Sequence, residues 1–229
     1  MKQAISTKAV FSIAACILIL GAFKSLASPK ITAFAQAAEP GSRKTTAASS
    51  ALHEAEDKND VETVKKLIRQ GADVNARNAR GWPVLVAAAS DGHVEITGFL
   101  LQSGARVNEK EESNGGTALF WAALEGYPHV VKLLLDKKAD PNIKAKNGTS
   151  PLMAVALTRA PKQPPEATKI AIAELLLKKG ANVNEPDNYG ALPRGAAASR
   201  GFNQLADFLK KNGGKCAASS GIVLHNCRD

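Results

Sequence analysis

A five-residue segment returns four times along the chain, as GADVN at 71–75, GARVN at 104–108, KADPN at 138–142 and GANVN at 180–184. Its asparagines Asn75, Asn108 and Asn142 are 33 and 34 residues apart, and Asn184 follows 42 residues after Asn142. A repeat in the thirties is one supersecondary unit, too small to bury its own apolar face. Such units must stack and share a core. That constraint outranks any other reading of the chain.

Between the segments lie paired helical stretches. The first helices are expected over 51–58, 84–91, 118–125, 152–159 and 193–200. The second helices are expected over 61–69, 94–102, 129–137, 168–179 and 203–211. Ala55, Ala88, Ala89, Ala122, Ala123, Ala197 and Ala198 recur at one register of the first helix, where a small side chain lets neighbouring pairs approach. Leu67, Leu100, Leu101, Leu133–Leu135, Leu175–Leu177, Leu205 and Leu209 fill the layer behind them. Gly71, Gly104 and Gly180 follow the second helices, where a left-handed cap favours glycine; Lys138 takes that slot in the third unit.

Gly148-Thr149-Ser150-Pro151-Leu152, Gly115-Gly116-Thr117-Ala118-Leu119 and Gly92-His93-Val94-Glu95, with the GADVN segments, resemble the ankyrin repeat over about residues 49–213. The resemblance implies an all-α repeat solenoid of about five units, each a β-hairpin and two antiparallel helices. It also implies that His53 braces a hairpin and that partners are bound by hairpin tips and first helices. Both end units depart from the pattern: the first offers only Ala51-Leu52-His53, and the last places Arg194 where leucine belongs. Such departures are expected of caps that meet water. The fourth unit carries an insertion at 159–167 whose three prolines forbid regular helix and predict an exposed loop.

Outside the repeats, residues 1–35 read as an export signal. Lys2 and Lys8 precede an uncharged apolar stretch from Ala9 to Phe23, followed by small-residue cleavage sites at 33–37 and 25–27. Fifteen apolar residues fall short of the roughly 20 that span a bilayer. Ile13-Ala14-Ala15-Cys16 looks like a lipobox, but the apolar run continues through Ile17–Leu20. The expected destination is the periplasm, with no membrane contact after the signal is removed. Residues 36–48 read as a flexible leader, and 214–229 as a tail in which Cys216 and Cys227 form a disulfide in an oxidising compartment.

The formal charge of +9 falls to +5 without the signal, and acids and bases are interspersed. No basic stripe points to nucleic acid. No nucleophile elbow, phosphate-binding glycine loop or paired carboxylate appears, so no catalytic residue and no cofactor is expected. His53, His93, His129 and His225 lack a second ligand at metal spacing, so no metal site is expected either.

The residues that packing leaves over are Arg77, Arg80, Trp82, Glu111, Asn114, Lys144, Lys146, Asn188 and Tyr189 at the hairpins, and Ser90, Asp91, Leu124 and Glu125 on first helices. Trp82 is the leading contact candidate, since aromatic and arginine side chains dominate protein interfaces. The tips alternate in charge: basic at 77–80 and 144–146, acidic at 109–112. The expected function is a periplasmic protein-binding module that neutralises a toxic effector through its concave face, in the manner of an immunity protein. The alternatives are a scaffold or protective partner of an envelope enzyme and, from another class, an enzyme with an unrecognised site.

Overall fold

The computed structural model describes residues 39–157 and 164–216. The expected signal at 1–35, most of the insertion and most of the tail, including Cys227, lie outside the described residues.

Ten helices are present among them, and no strand of more than an isolated bridge. They are α1 (Glu39–Asp57), α2 (Val61–Arg69), α3 (Val84–Asp91), α4 (Val94–Gln102), α5 (Ala118–Glu125), α6 (Pro128–Asp136), α7 (Pro151–Leu157), α8 (Glu166–Lys178), α9 (Pro193–Ser199) and α10 (Asn203–Lys211). A compact unit begins at Ala47, part-way along α1. The helix starts at Glu39, inside the stretch expected to be a flexible leader, so residues 39–48 are helical.

The helices form two rows. The first helices α3, α5, α7 and α9 pack in sequence, each on the next. Behind them α2, α4, α6, α8 and α10 do the same. Short turns join α1 to α2, α3 to α4, α5 to α6 and α9 to α10, built on Asn59 (φ 52°), Gly92 (φ 78°), Gly126 (φ 84°) and Gly201 (φ 77°) in that order. Lys138 does adopt a left-handed φ of 64°, where its counterparts Gly71, Gly104 and Gly180 sit near 90°. A side chain there costs about 1 kcal/mol relative to ordinary helical backbone.

The core follows the repeat register. Ala88, Ala89, Ala122, Ala123, Ala156 and Ala197 are buried between adjacent first helices, and Ile96, Leu100, Val130, Leu134, Ile172, Leu176, Leu205 and Leu209 are buried in the second row. Leu67, Leu101, Leu175 and Leu177 pack at the edge of the same continuous cluster. Helix starts are fixed locally: Asp60 accepts from Thr63 N–H (3.0 Å), Thr117 from Phe120 N–H (3.2 Å) and Ser150 from Met153 N–H (3.2 Å).

The end units are less exposed than their departures from the pattern suggested. Arg194 is buried, and its guanidinium donates to the Gly214 carbonyl at 3.4 Å. In the first unit the His53 ring is buried and its Nε2–H donates to the Ala76 carbonyl at 3.2 Å, the bracing role expected of it. Burial also holds the His53 pKa below its ordinary value, which keeps the ring neutral. The insertion ends in order. A Cβ on Gly126 would meet the Pro164 ring at 2.7 Å, and Glu166 opens α8 while accepting the Leu205 N–H of α10 at 3.0 Å. Helix α8 therefore begins within the span expected to be loop.

Candidate interaction surface

Each segment between helical pairs is closed by a backbone bond of 3.0 Å: Asn78 N–H to Trp82, Glu111 N–H to Gly116, Ala145 N–H to Thr149 and Asp187 N–H to Ala191. In the first, third and fourth the turn glycine adds a second, from Gly81 N–H to Asn78 (2.9 Å), Gly148 N–H to Ala145 (3.0 Å) and Gly190 N–H to Asp187 (3.1 Å). Among the described residues antiparallel bridging is limited to Arg77 with Pro83 and Lys110 with Thr117, so two of the expected hairpins are turns with a single bridge and the other two are turns without one. In the first and fourth turns a short side chain stabilises the loop. Asn78 Oδ1 accepts from Arg80 and Trp82 N–H, and Asp187 Oδ1 from Tyr189 and Ala191 N–H. The second turn is one residue longer, and the longer Glu111 fills that role.

Glu111 is only 2% exposed. Its carboxylate accepts from the N–H groups of Ser113, Asn114 and Gly116 and from the Ser113 hydroxyl. Burial pushes its pKa up, but these hydrogen bonds outweigh burial and hold it below the ordinary value. Glu111 is thus a turn residue and offers nothing to a partner, contrary to expectation.

Several other predicted contact residues tie one unit to the next. Arg77 donates to Glu109 Oε1 (2.5 Å) and the Lys110 carbonyl (3.1 Å). Lys110 reaches the Lys144 carbonyl (2.8 Å), and Lys144 reaches Glu185 Oε1 (2.8 Å) and the Pro186 carbonyl (2.9 Å). Lys146 donates to the carbonyls of Glu112 and Ser113, and its own N–H donates to the Asn114 carbonyl. Asn188 donates to the carbonyls of Asn147 and Lys146. Arg77 and Lys144 are thus paired with acids of the next unit, while Lys110 and Lys146 spend their ammonium groups on carbonyls.

Trp82 does not stand free. Its ring lies 4.7 Å from that of Trp121 at 39°, and Trp121 meets Phe120 edge-on at 5.5 Å. Both tryptophans are half-buried against the main core. Gly116 makes room for the stack, because a Cβ there would meet Trp121 Nε1 at 2.6 Å. The indole of Trp82 is an inter-repeat packing group, which corrects its expected place as a surface-pointing hot spot.

A second set of cross-unit bonds explains the segment that recurs in the sequence. Asn75 Oδ1 accepts the Arg106 N–H, Asn108 Oδ1 the Asp140 N–H and Asn142 Oδ1 the Asn182 N–H, each at 2.9 Å. Asn184 Oδ1 accepts the Lys215 N–H at 2.7 Å. Asn142 and Asn184 also donate, to the Gly180 (2.9 Å) and Gly213 (3.0 Å) carbonyls. The repeated asparagine is a rung between successive units.

Residues 52–145 match the family described as ankyrin repeats in three copies, and residues 147–188 match the ankyrin repeat. The chain belongs to the ankyrin-repeat family. It is 37% identical over 108 residues to the ankyrin repeat and KH domain-containing protein mask-1 of Caenorhabditis elegans, covering 47% of this chain and 4% of that one. It is 38% identical over 89 residues to the E3 ubiquitin-protein ligase XBAT32 of Arabidopsis thaliana, covering 39% and 18%. It is 30% identical over 138 residues to a putative ankyrin repeat-containing protein of Treponema pallidum, covering 60% and 43%. The chain thus spans less than half the length of each of these relatives.

What remains exposed on this ankyrin array is a shorter set than the sequence suggested. Arg80, Asn114, Asn147 and Tyr189 directly precede the turn glycines Gly81, Gly115, Gly148 and Gly190 and form one tip register. Arg80 and Tyr189 are exposed at its two ends, Tyr189 at 80%. On the first helices Asp91 is exposed, Ser90 and Glu125 are half-buried, and Leu124 packs against Phe120, Ala145 and Ala154. Burial, then the neighbouring Asp91, raises the Glu125 pKa. Among the described residues no helix is long and apolar enough to cross a membrane.

Sequence spacing left His93 without a second metal ligand, yet the fold brings Glu56 and Asp91 to it. Glu56 was open to detection, because it occupies the register that Ala89 and Ala123 hold in later units, and a buried acid in an alanine slot is anomalous.

Proposed function

We propose that the array is a non-catalytic protein-binding module, that it works in the periplasm, and that its partner is a toxic effector acting there which it neutralises by occlusion. The observation that carries this reading is the tip register. After the cross-unit bonds have used Arg77, Lys144, Lys146 and Asn188, Arg80 and Tyr189 still project from opposite ends of the row. Arginine and tyrosine supply large contact area at modest ordering cost. The asparagine rungs and charged cross-links hold the tips before a partner arrives, so association loses little conformational freedom. The apolar leader behind Lys2 and Lys8 supports export.

The test is capture from periplasmic extract with the full chain and with an Arg80→Ala/Tyr189→Ala variant. The expected result is one protein retained by the wild type and lost from the variant, with toxicity that co-expression of the wild type relieves. Equal retention by both forms removes the tip register from the reading. Retention of an envelope enzyme without toxicity moves the function to a protective scaffold.

A further inference from the structure

Glu56, Asp91 and His93 form a group apart from the apolar core, the turn contacts and the asparagine rungs. Glu56 lies in the last turn of α1, fully buried. Its Oε1 is 2.8 Å from His93 Nδ1, whereas its Oε2 is buried and has no hydrogen-bond partner. A carboxylate oxygen taken from water and left unpaired is costly, and native structures rarely tolerate one without a ligand. Asp91 closes α3 and His93 opens α4, on either side of left-handed Gly92. One ligand atom from each of the three lies within 4.8 Å of the others.

Charge in the neighbourhood favours a cation. Asp57 lies near both Glu56 and Asp91, and Glu125 lies near Asp91. Among the described residues no lysine or arginine forms an ion pair with Glu56 or Asp91. The only cationic candidate in the group is the imidazole itself.

We propose that Glu56, Asp91 and the Nδ1 of His93 bind one divalent cation of the zinc class, with water completing its shell. Two carboxylates and an imidazole suit zinc, whereas magnesium and calcium favour all-oxygen shells. Tetrahedral zinc with bonds of about 2.0–2.2 Å sets its ligand atoms roughly 3.3–3.6 Å apart. Glu56 and His93 are already adjacent, and the exposed Asp91 closes the remaining distance by a change of rotamer. The ion replaces the proton held between Glu56 Oε1 and His93 Nδ1, and that proton leaves to solvent. All three ligands come from helix ends fixed by the packed rows, so the site is assembled without a partner.

The experiment is calorimetric titration of zinc chloride into the untagged full chain, after chelator treatment and its removal. One ion per chain is expected, with a rise in thermal midpoint. Asp91→Asn alters an exposed side chain and leaves the fold intact; it is expected to weaken binding about tenfold or more. Glu56→Gln, which keeps a hydrogen bond to His93, is expected to do the same. A wild type that takes up no zinc overturns the proposal. So does equal affinity in the wild type, Asp91→Asn and His93→Gln, which would place the ion elsewhere. Magnesium binding as tightly as zinc would overturn the part assigned to the imidazole.

Discussion

Glu111 shows how a single side chain sets the shape of a tip. Its two oxygens satisfy the amides of a turn one residue longer than its neighbours. Hydrogen bonds to an ionised group contribute about 1.5–3 kcal/mol each when a partner is removed. Glu111→Gln keeps the length but turns an amide toward those N–H groups, so a loss of about 2 kcal/mol in urea unfolding at pH 7 is expected. Because the folded state holds the Glu111 pKa below its ordinary value, its contribution is present above the unfolded glutamate range. It is lost as pH falls through the folded value, so the gap between wild type and variant should close in acid. A gap that stays constant down to the acid limit would show that the carboxylate charge plays no part.

Between elements, the asparagine rungs and the packed rows act together. Asn108 makes one cross-unit bond and Asn142 makes two. Loss of each neutral hydrogen bond costs about 1 kcal/mol. Asn108→Ala is therefore expected to cost about 1 kcal/mol and Asn142→Ala about 2 kcal/mol by chemical denaturation. The faster amide exchange should be confined to Asp140 in the first variant and Asn182 in the second. Equal costs would mean that the bond to Gly180 carries no weight. The recurring asparagines, the alanine register and the leucine layer were legible in the sequence because each repeats at the period of the fold, although the bonds the asparagines make were not. The partners of Arg77, Lys144 and Trp82 were not. Those contacts join residues 32 to 42 positions apart, and residue type alone does not say whether a cation at a tip faces water or the next tip. For the same reason His93 looked solitary until α1 and α3 were placed beside it.

At the scale of the whole array, each unit is stabilised by its neighbours, so units flanked on both sides should be the hardest to open. Native-state hydrogen exchange is expected to find the slowest amides around Leu100 and Leu134, and faster exchange in α10, whose main packing partners among the described helices are α8 and α9. Uniform protection from α2 to α10 would instead describe a single cooperative block. The last of these asparagines continues the series. Asn184 accepts the Lys215 N–H and donates to the Gly213 carbonyl, residues that follow α10 as Asn182 and Gly180 follow α8. The fifth unit is thus fastened by a clasp carried on the fourth, so a repeat that diverges from the motif keeps its hold on the array without supplying the side chain that makes it.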